Sequence, residues 1–473
     1  MRSLKLLALL LCALTSTAVL GVAPALGAHD QRVLFEAPPD LLSAQRRPGA
    51  LAQLDSLGVR AIRVVLLWRD VAPASNAAVK PAFDATDPAA YDWGQYDAVM
   101  QAAAVRGWQV LLTVSGPVPR WATPRGVDQT TRPDALEYGR FMTAVGRHYG
   151  QQVKLFSIWN EPNHPEFLNP QYINGQPASP RIYRGLYQAG YAGLRASGNF
   201  DGMKVLLGET APRGTGHDVA PLTFLRGALC LDNRYRRASS CSALPADGWA
   251  HHAYTTLAGP FFKPREPNDV TIGVLSRLTH ALDKAGRARA LPKHLPVYLT
   301  EFGIQSFPDP FNGVSLAQQP EYMAIGEHIA WSNPRVKFFS QYLLRDEPPG
   351  KSSNKLKKFG GFDTGLELTG GKAKPSYSAW PVPLVVSRRG GRVALWGYAR
   401  PANAATTVRV EVADGRRGFR PLLTRATNAL GYWHATSAFK ARRRWRLRWT
   451  SGAGKVYLGP PIRAYSQAGK LQR

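Results

Sequence analysis

Two glutamates in this chain have a setting suited to acid–base chemistry. Glu161 lies in Ser157-Ile158-Trp159-Asn160-Glu161-Pro162-Asn163-His164, and Glu301 in Val297-Tyr298-Leu299-Thr300-Glu301-Phe302-Gly303. Each closes a short apolar run. Alone, either acid reads as the polar residue of a turn that ends a strand. As a pair brought to one site they suit cleavage of a glycosidic bond. One carboxyl is held protonated as the acid, while its partner stays ionised to attack the anomeric carbon. Retaining chemistry predicts carboxyls roughly 5–5.5 Å apart, and a gap of roughly 6.5 Å or more points to inversion.

The elements that could bring the two acids together run from about Gln31 to Trp380, where short apolar runs alternate with amphipathic stretches. The apolar runs predict strands at Val33–Phe35, Val59–Leu67, Gln109–Val114, Leu155–Trp159, Lys204–Leu207, Gly248–Tyr254, Val297–Thr300 and Val336–Tyr342. Helical periods fall between them, at Trp93–Arg106, Asp134–Tyr149, Arg181–Ala196, Val270–Ala285 and Pro320–Trp331. Strands alternating with helices call for a parallel sheet, and eight repeats predict a closed (β/α)8 TIM barrel. The 140 residues from Glu161 to Glu301 (301 − 161) make three repeats of about 47, the length from a fourth strand to a seventh. An open doubly wound sheet shares the alternation. It usually carries a Gly-rich phosphate turn after its first strand, and Phe35-Glu36-Ala37-Pro38-Pro39 is nothing of the kind.

In a barrel of this type, polar residues just past the strand ends line one shared pocket. Here they are Arg63 and Trp68 from strand 2, Trp121 from the loop after strand 3, and Asn160 with Glu161 from strand 4. Strand 5 adds Glu209, strand 6 adds His252 and Tyr254, and strand 7 adds Glu301. His251 and His252 are adjacent, so on a strand they point to opposite faces. The His-x-Tyr spacing puts His252 and Tyr254 on the pocket side.

Asn160-Glu161-Pro162, Glu301, the His252-x-Tyr254 pair and Arg63 together resemble the retaining glycoside hydrolases of clan A. The Trp159-Asn160-Glu161-Pro162-Asn163 wording is similar to family 39, the β-xylosidases and α-iduronidases, and to cellulase-like exported bacterial enzymes. The resemblance covers about residues 31–380. It implies Glu161 as general acid/base and Glu301 as the nucleophile that forms a covalent glycosyl intermediate. It further implies Asn160 on the sugar 2-hydroxyl, Tyr254 and Arg63 donating to Glu301, and His252 positioning Glu161 or the sugar. No metal or organic cofactor is implied. Many clan members end strand 8 on a Trp platform for the sugar, whereas this chain reads Phe338-Phe339-Ser340-Gln341-Tyr342. Tyr342, Trp121 or Trp159 is left for that duty, and Glu209 for either a substrate contact or a bond to another strand-end residue.

The remaining features bound the setting. At 473 residues the chain exceeds one ordinary core, and 44% apolar with 19% charged residues excludes a disordered chain. Residues 1–28 read as an export signal, with Arg2 and Lys5 before the apolar Leu6–Leu14 and a small-residue site at Ala25-Leu26-Gly27-Ala28. Secretion or an envelope location without stable membrane insertion follows. Cys230 and Cys241, eleven residues apart, then predict one local disulfide. Charge divides the chain: of the net +28 (60 − 32), residues 381–473 hold 19 Lys/Arg against Glu411 and Asp414, or +17. Short alternating runs in that segment predict a basic β-sandwich following the 29–380 catalytic domain. In Lys440-Ala441-Arg442-Arg443-Arg444-Trp445-Arg446-Leu447-Arg448-Trp449, aromatic and basic residues alternate in a way that suggests nucleic acid. On a strand, however, Trp445, Leu447 and Trp449 share one face and the arginines the other. Export makes an anionic polysaccharide or envelope surface the partner, and not nucleic acid. The expected function is an exported retaining glycosidase acting on a poly- or oligosaccharide. Its rivals are a non-catalytic polysaccharide-binding barrel and a transglycosylase that uses the same residues.

Overall fold

The computed structural model describes residues 30–466, so the signal expected at 1–28 lies outside the described residues. Eight parallel strands close into a barrel: β1 (Arg32–Glu36), β2 (Ala61–Leu67), β3 (Gln109–Ser115), β4 (Leu155–Ile158), β5 (Lys204–Thr210), β6 (Gly248–His252), β7 (Val297–Glu301) and β8 (Val336–Tyr342). Around it lie helices α1 (Arg47–Leu57), α2 (Gly94–Val105), α3 (Ala135–Tyr149), α4 (Ser179–Ala196), α5 (Pro221–Ala228), α6 (Ser276–Arg287) and α7 (Gln319–Trp331). The helix expected from Val270 starts later, at Ser276. Val270 is already committed to the barrel rim: its N–H donates to the Pro212 carbonyl, and its own carbonyl lies 2.8 Å from His251 Nε2.

Alternation sorts each strand between two environments. Leu34, Ala61, Leu111, Leu155, Leu206, Ala250, Tyr298 and Phe338, one from each strand, form an apolar plug inside the barrel. Two residues further along, the inward face turns polar, with Glu36, Arg63, Thr113, His252 and Thr300 all buried. The opposite parity, Ile62, Val64 and Leu66 on β2, joins the core between strands and helices, as does Trp68 just past the strand. The polar layer thus rests on a packed floor, which keeps water out from below.

Helices α3 and α4, which precede and follow β4, approach closely because both present glycine. A Cβ on Gly193 would stand 2.1 Å from the Gly139 carbonyl oxygen. Gly193→Ala must therefore separate the two helices. A loss of about 1–3 kcal/mol is expected, read as a lower urea midpoint, and an unchanged midpoint would show that the packing gives way freely.

The architecture changes after the short helix Pro375–Ala379. β9 (Leu384–Arg389), β10 (Arg392–Tyr398), β11 (Thr407–Asp414), β12 (Arg420–Ala426), β13 (Tyr432–Ala438), β14 (Arg443–Thr450), β15 (Val456–Leu458), β16 (Ile462–Arg463) and β17 (Tyr465–Ser466) form two sheets, ordered β13-β10-β9-β17 and β12-β11-β14-β15, with β16 also pairing β14. Their inner faces enclose a core of Val386, Leu395, Val410, Trp433, Trp445 and Leu447. This is the expected sandwich, extended by β9 and by the short strands after Thr450. Arg400 fastens it to the barrel. Its guanidinium pairs with buried Glu327 of α7, Nη1 donating to Oε1 at 3.0 Å, and lies 3.6 Å from the Trp380 ring centroid. Cys230 and Cys241 are joined in the loop after α5, as their spacing predicts.

Candidate active site

The polar layer converges on Arg63. Its side chain is fully buried, yet the cation meets five acceptor groups on other strands or just past their ends. Nη1 donates to both oxygens of Glu36 at 2.9 and 2.8 Å and to Glu301 Oε1 at 2.6 Å. Nη2 donates to Asn160 Oδ1 at 2.5 Å and to Glu209 Oε2 at 2.9 Å. Nε reaches Thr113 Oγ1, which in turn donates to Glu209 Oε1 at 3.0 Å. A planar five-donor fork satisfies this many directions at once, which a lysine ammonium could not do.

The Asn160-Glu161 segment is held in an uncommon backbone shape. Trp159 (φ 75°) and Glu161 (φ 38°) lie in the left-handed region that non-glycine residues seldom occupy. Three bonds to neighbouring strands hold it: Trp159 N–H to the Val114 carbonyl at 2.9 Å, Asn160 N–H to Ser115 Oγ at 2.9 Å, and Glu161 N–H to the Glu209 carbonyl at 3.0 Å. Glu161 is therefore aimed by β3 and β5, not by β4 alone. Just beyond it, buried Asn163 ties the loop to the next one, donating to the Ala211 and Val219 carbonyls and accepting from the Ala211 N–H.

Glu161 and Glu301 meet through His252. His252 Nδ1 lies 2.8 Å from Glu161 Oε1 and 3.4 Å from Glu301 Oε2, and one donor atom of each of the three lies within 4.8 Å of the others. Tyr254 donates to Glu301 Oε2 at 3.0 Å. Burial pushes the Glu301 carboxyl up, but the charges of His252 and Arg63 and the bonds from Arg63 and Tyr254 outweigh it, so its pKa lies below the ordinary value. For His252 burial pulls the pKa down, and Glu301 with Glu161 more than reverse this, leaving it raised. The same three donors are grouped closely enough for a metal ion. A ring nitrogen aimed at two carboxylates and shifted toward its charged form favours a proton there instead. His251 points the other way, to Thr210 Oγ1 and the Val270 carbonyl, and burial lowers its pKa to about 4.

Of the candidates read from sequence, Arg63, Asn160, Glu161, Glu209, His252, Tyr254 and Glu301 are brought together. Glu209 is wholly buried against Arg63 and Thr113, so its carboxylate orders the cation and is shut away from solvent. Trp68 is placed elsewhere. It is fully buried, stacked on Phe141 of α3 with centroids 5.2 Å apart, because the chain turns into the short helix Trp68–Val71 directly after β2. Trp121 packs edge-on to Trp68 and donates to the Pro73 carbonyl, and Trp159 donates to the Phe167 carbonyl from a buried position. Tyr342 stands beside Tyr254, and Phe362 joins them with centroids 4.9 and 5.5 Å away. All three of these residues are partly exposed.

Glu36 and Phe362 were not singled out from sequence. Glu36 could have been, since it ends β1 on the inward parity. Phe362 arrives from a distant loop with no periodic signal. Burial pushes Glu36 up to about 8 even though Arg63 opposes it, against an ordinary value of 4.5. A raised acid favours the fold fully below its unfolded pKa, and the contribution is lost as pH rises through the folded one. Wild type is thus expected to lose urea resistance between about pH 4.5 and 8 relative to Glu36→Gln. Parallel midpoint-versus-pH curves for the two proteins would contradict this.

Neither a family model nor a curated protein matches the sequence. Solved structures do. The chain is similar to a family 39 glycoside hydrolase from the gut symbiont Bacteroides cellulosilyticus WH2, at 16% identity and TM-score 0.52, over 90% of this chain and 82% of that one. It is also similar to a glucosidase from Croceicoccus marinus, at 12% identity and TM-score 0.50, over 93% and 97% of the two chains. At such identities the likeness is one of fold, and the chain has the barrel architecture of these two glycosidases.

Proposed function

We propose that the protein is an exported retaining glycoside hydrolase that cleaves O-glycosidic bonds of a poly- or oligosaccharide in two displacements. The observation that carries this reading is the unequal treatment of two adjacent carboxyls. Glu301 is held ionised by Arg63 and Tyr254. Glu161, an oxygen of which lies within 4.8 Å of one of Glu301, bonds among the described side chains only to an imidazole. Their closeness favours direct attack over an intervening water.

In the first step Glu301 attacks the anomeric carbon while Glu161 gives its proton to the departing oxygen. With its proton on Nδ1, His252 donates to Glu161 Oε1 and leaves Oε2 for that transfer. In the second step Glu161 takes a proton from water, which displaces Glu301. Asn160 has its Oδ1 fixed by Arg63, so its Nδ2 donor is free to bond the sugar 2-hydroxyl. The rings of partly exposed Tyr254, Tyr342 and Phe362 supply the stacking surface at the end of β8. The disulfide is consistent with an extracytoplasmic location.

A 2-deoxy-2-fluoro glycosyl fluoride panel with intact-mass and peptide analysis tests the assignment. Accumulated glycosyl-enzyme should map to the peptide holding Glu301, and proton NMR should show the first product in the substrate's anomeric configuration. An inverted first product would remove Glu301 from the nucleophile role. Transfer to an added alcohol would reveal transglycosylation.

A further inference from the structure

The outer face of the sandwich has no part in that chemistry, and its charge is arranged against ordinary sheet stability. On β14, Trp445, Leu447 and Trp449 are buried and Arg444, Arg446 and Arg448 point outward. Strand register then sets Arg409 of β11 directly opposite Arg448, and Arg463 of β16 directly opposite Arg444. Like charges facing each other across a strand pair are destabilising. Only the pair between them is complementary, with Glu411 opposite Arg446 and accepting from its Nε at 2.7 Å. Asp414, the second carboxylate of residues 381–473, is already taken by Arg443, Lys440 and Arg420. Among the described residues, no carboxylate pairs with Arg409, Arg444, Arg448 or Arg463.

We infer that this sheet face is a binding surface for a polysaccharide bearing carboxylates, a polyuronate, which supplies the negative charge that the sheet withholds. Its shape suits an extended chain: alternate residues of β14 present cations about every 6.8 Å along the strand, with one further cation on the strand to either side, Arg409 of β11 and Arg463 of β16. Arg444 and Arg446 are braced over the Phe419 ring, at 5.5 and 4.1 Å, so they are partly ordered before any ligand arrives. The same bracing covers that ring, and Trp445 and Trp449 are turned into the core. Among the described residues, the face therefore lacks the free aromatic platforms on which single-stranded nucleic acid stacks. The choice of polysaccharide over other polyanions rests on the glycosidase reading of the barrel. The surface would hold the protein on a carboxylate-bearing substrate or its matrix.

The test uses the full chain, with affinity electrophoresis and fluorescence anisotropy against polygalacturonate, neutral dextran and a single-stranded DNA oligomer. Wild type should bind polygalacturonate, release it as NaCl rises from about 50 to 500 mM, and ignore dextran. Arg448→Glu should weaken that binding at least tenfold while its melting temperature stays level or rises, because the introduced carboxylate would then face Arg409 across the strand pair. A variant that merely unfolds cannot give that combination. Glu161→Gln should bind as wild type does, which separates failure of this surface from failure of the glycosidase reading. The inference is overturned if wild type does not bind polygalacturonate at low salt, if Arg448→Glu binds it equally well, or if the DNA oligomer binds more tightly.

Discussion

Glu301→Gln is expected to abolish turnover, lowering kcat/KM by about 10,000-fold or more, as loss of a nucleophile does. Glu161→Ala should behave differently. With a poor leaving group it loses a comparable factor, because no proton reaches the departing oxygen. With a leaving group that needs no proton, such as dinitrophenolate, the first step survives and the second becomes limiting, so a burst of phenolate precedes slow turnover. Adding azide should then restore the rate, since a small anion needs no general base and fits the space that the missing carboxyl leaves. Burst and rescue in Glu161→Ala, with neither in Glu301→Gln, separate the two roles by stopped-flow absorbance. Rescue of the second variant with a retained product would reverse the assignment. Silence of wild type and variants alike across a broad glycoside panel would favour the binding-barrel alternative.

The second large effect is expected at Arg63. Removing one partner of a buried ion pair costs about 3–5 kcal/mol because the other charge is left uncompensated. Here the guanidinium serves Glu36, Glu209 and Glu301 together. Arg63→Met should therefore lower the urea midpoint by an amount at the upper end of that range and remove activity with it. Arg63→Lys retains the charge but not the fork, so it should recover part of the stability and little of the turnover. Adding Glu209→Gln to Arg63→Met should return some of the lost stability, since one fewer buried carboxylate then lacks a counter-charge. A midpoint for Arg63→Met equal to wild type would show that the acids take up protons at little cost, and that the cation is not what organises the site.

The eight barrel strands were legible in the sequence because each is a compact apolar run bounded by turn residues, and a parallel barrel buries both faces of every strand. Glu161 and Glu301 were legible because both acids close such runs and lie three repeats apart. Other features were not. Trp68 looked like a strand-end aromatic facing the pocket, but a short helix begins at that residue and places it in the helix layer, beside Phe141. Glu209 could not be assigned from its segment, since the guanidinium that takes it lies 146 residues away. Phe362 reaches Tyr254 and Tyr342 through a loop whose path no period predicts.

What the sequence by itself determined is the set of strands, the alternation that makes Trp445 inward and Arg446 outward, the cysteine pair, and the two acids. These follow from local rules: period, turn chemistry and spacing act within a few residues or repeats. What only the tertiary structure decided is which charges share a partner. Arg63 could pair with any acid until barrel closure brought β1, β4, β5 and β7 around it, and Arg409 meets Arg448 only through the register of β11 on β14. Electrostatic free energy depends on distance and burial, and neither exists until the chain has closed on itself.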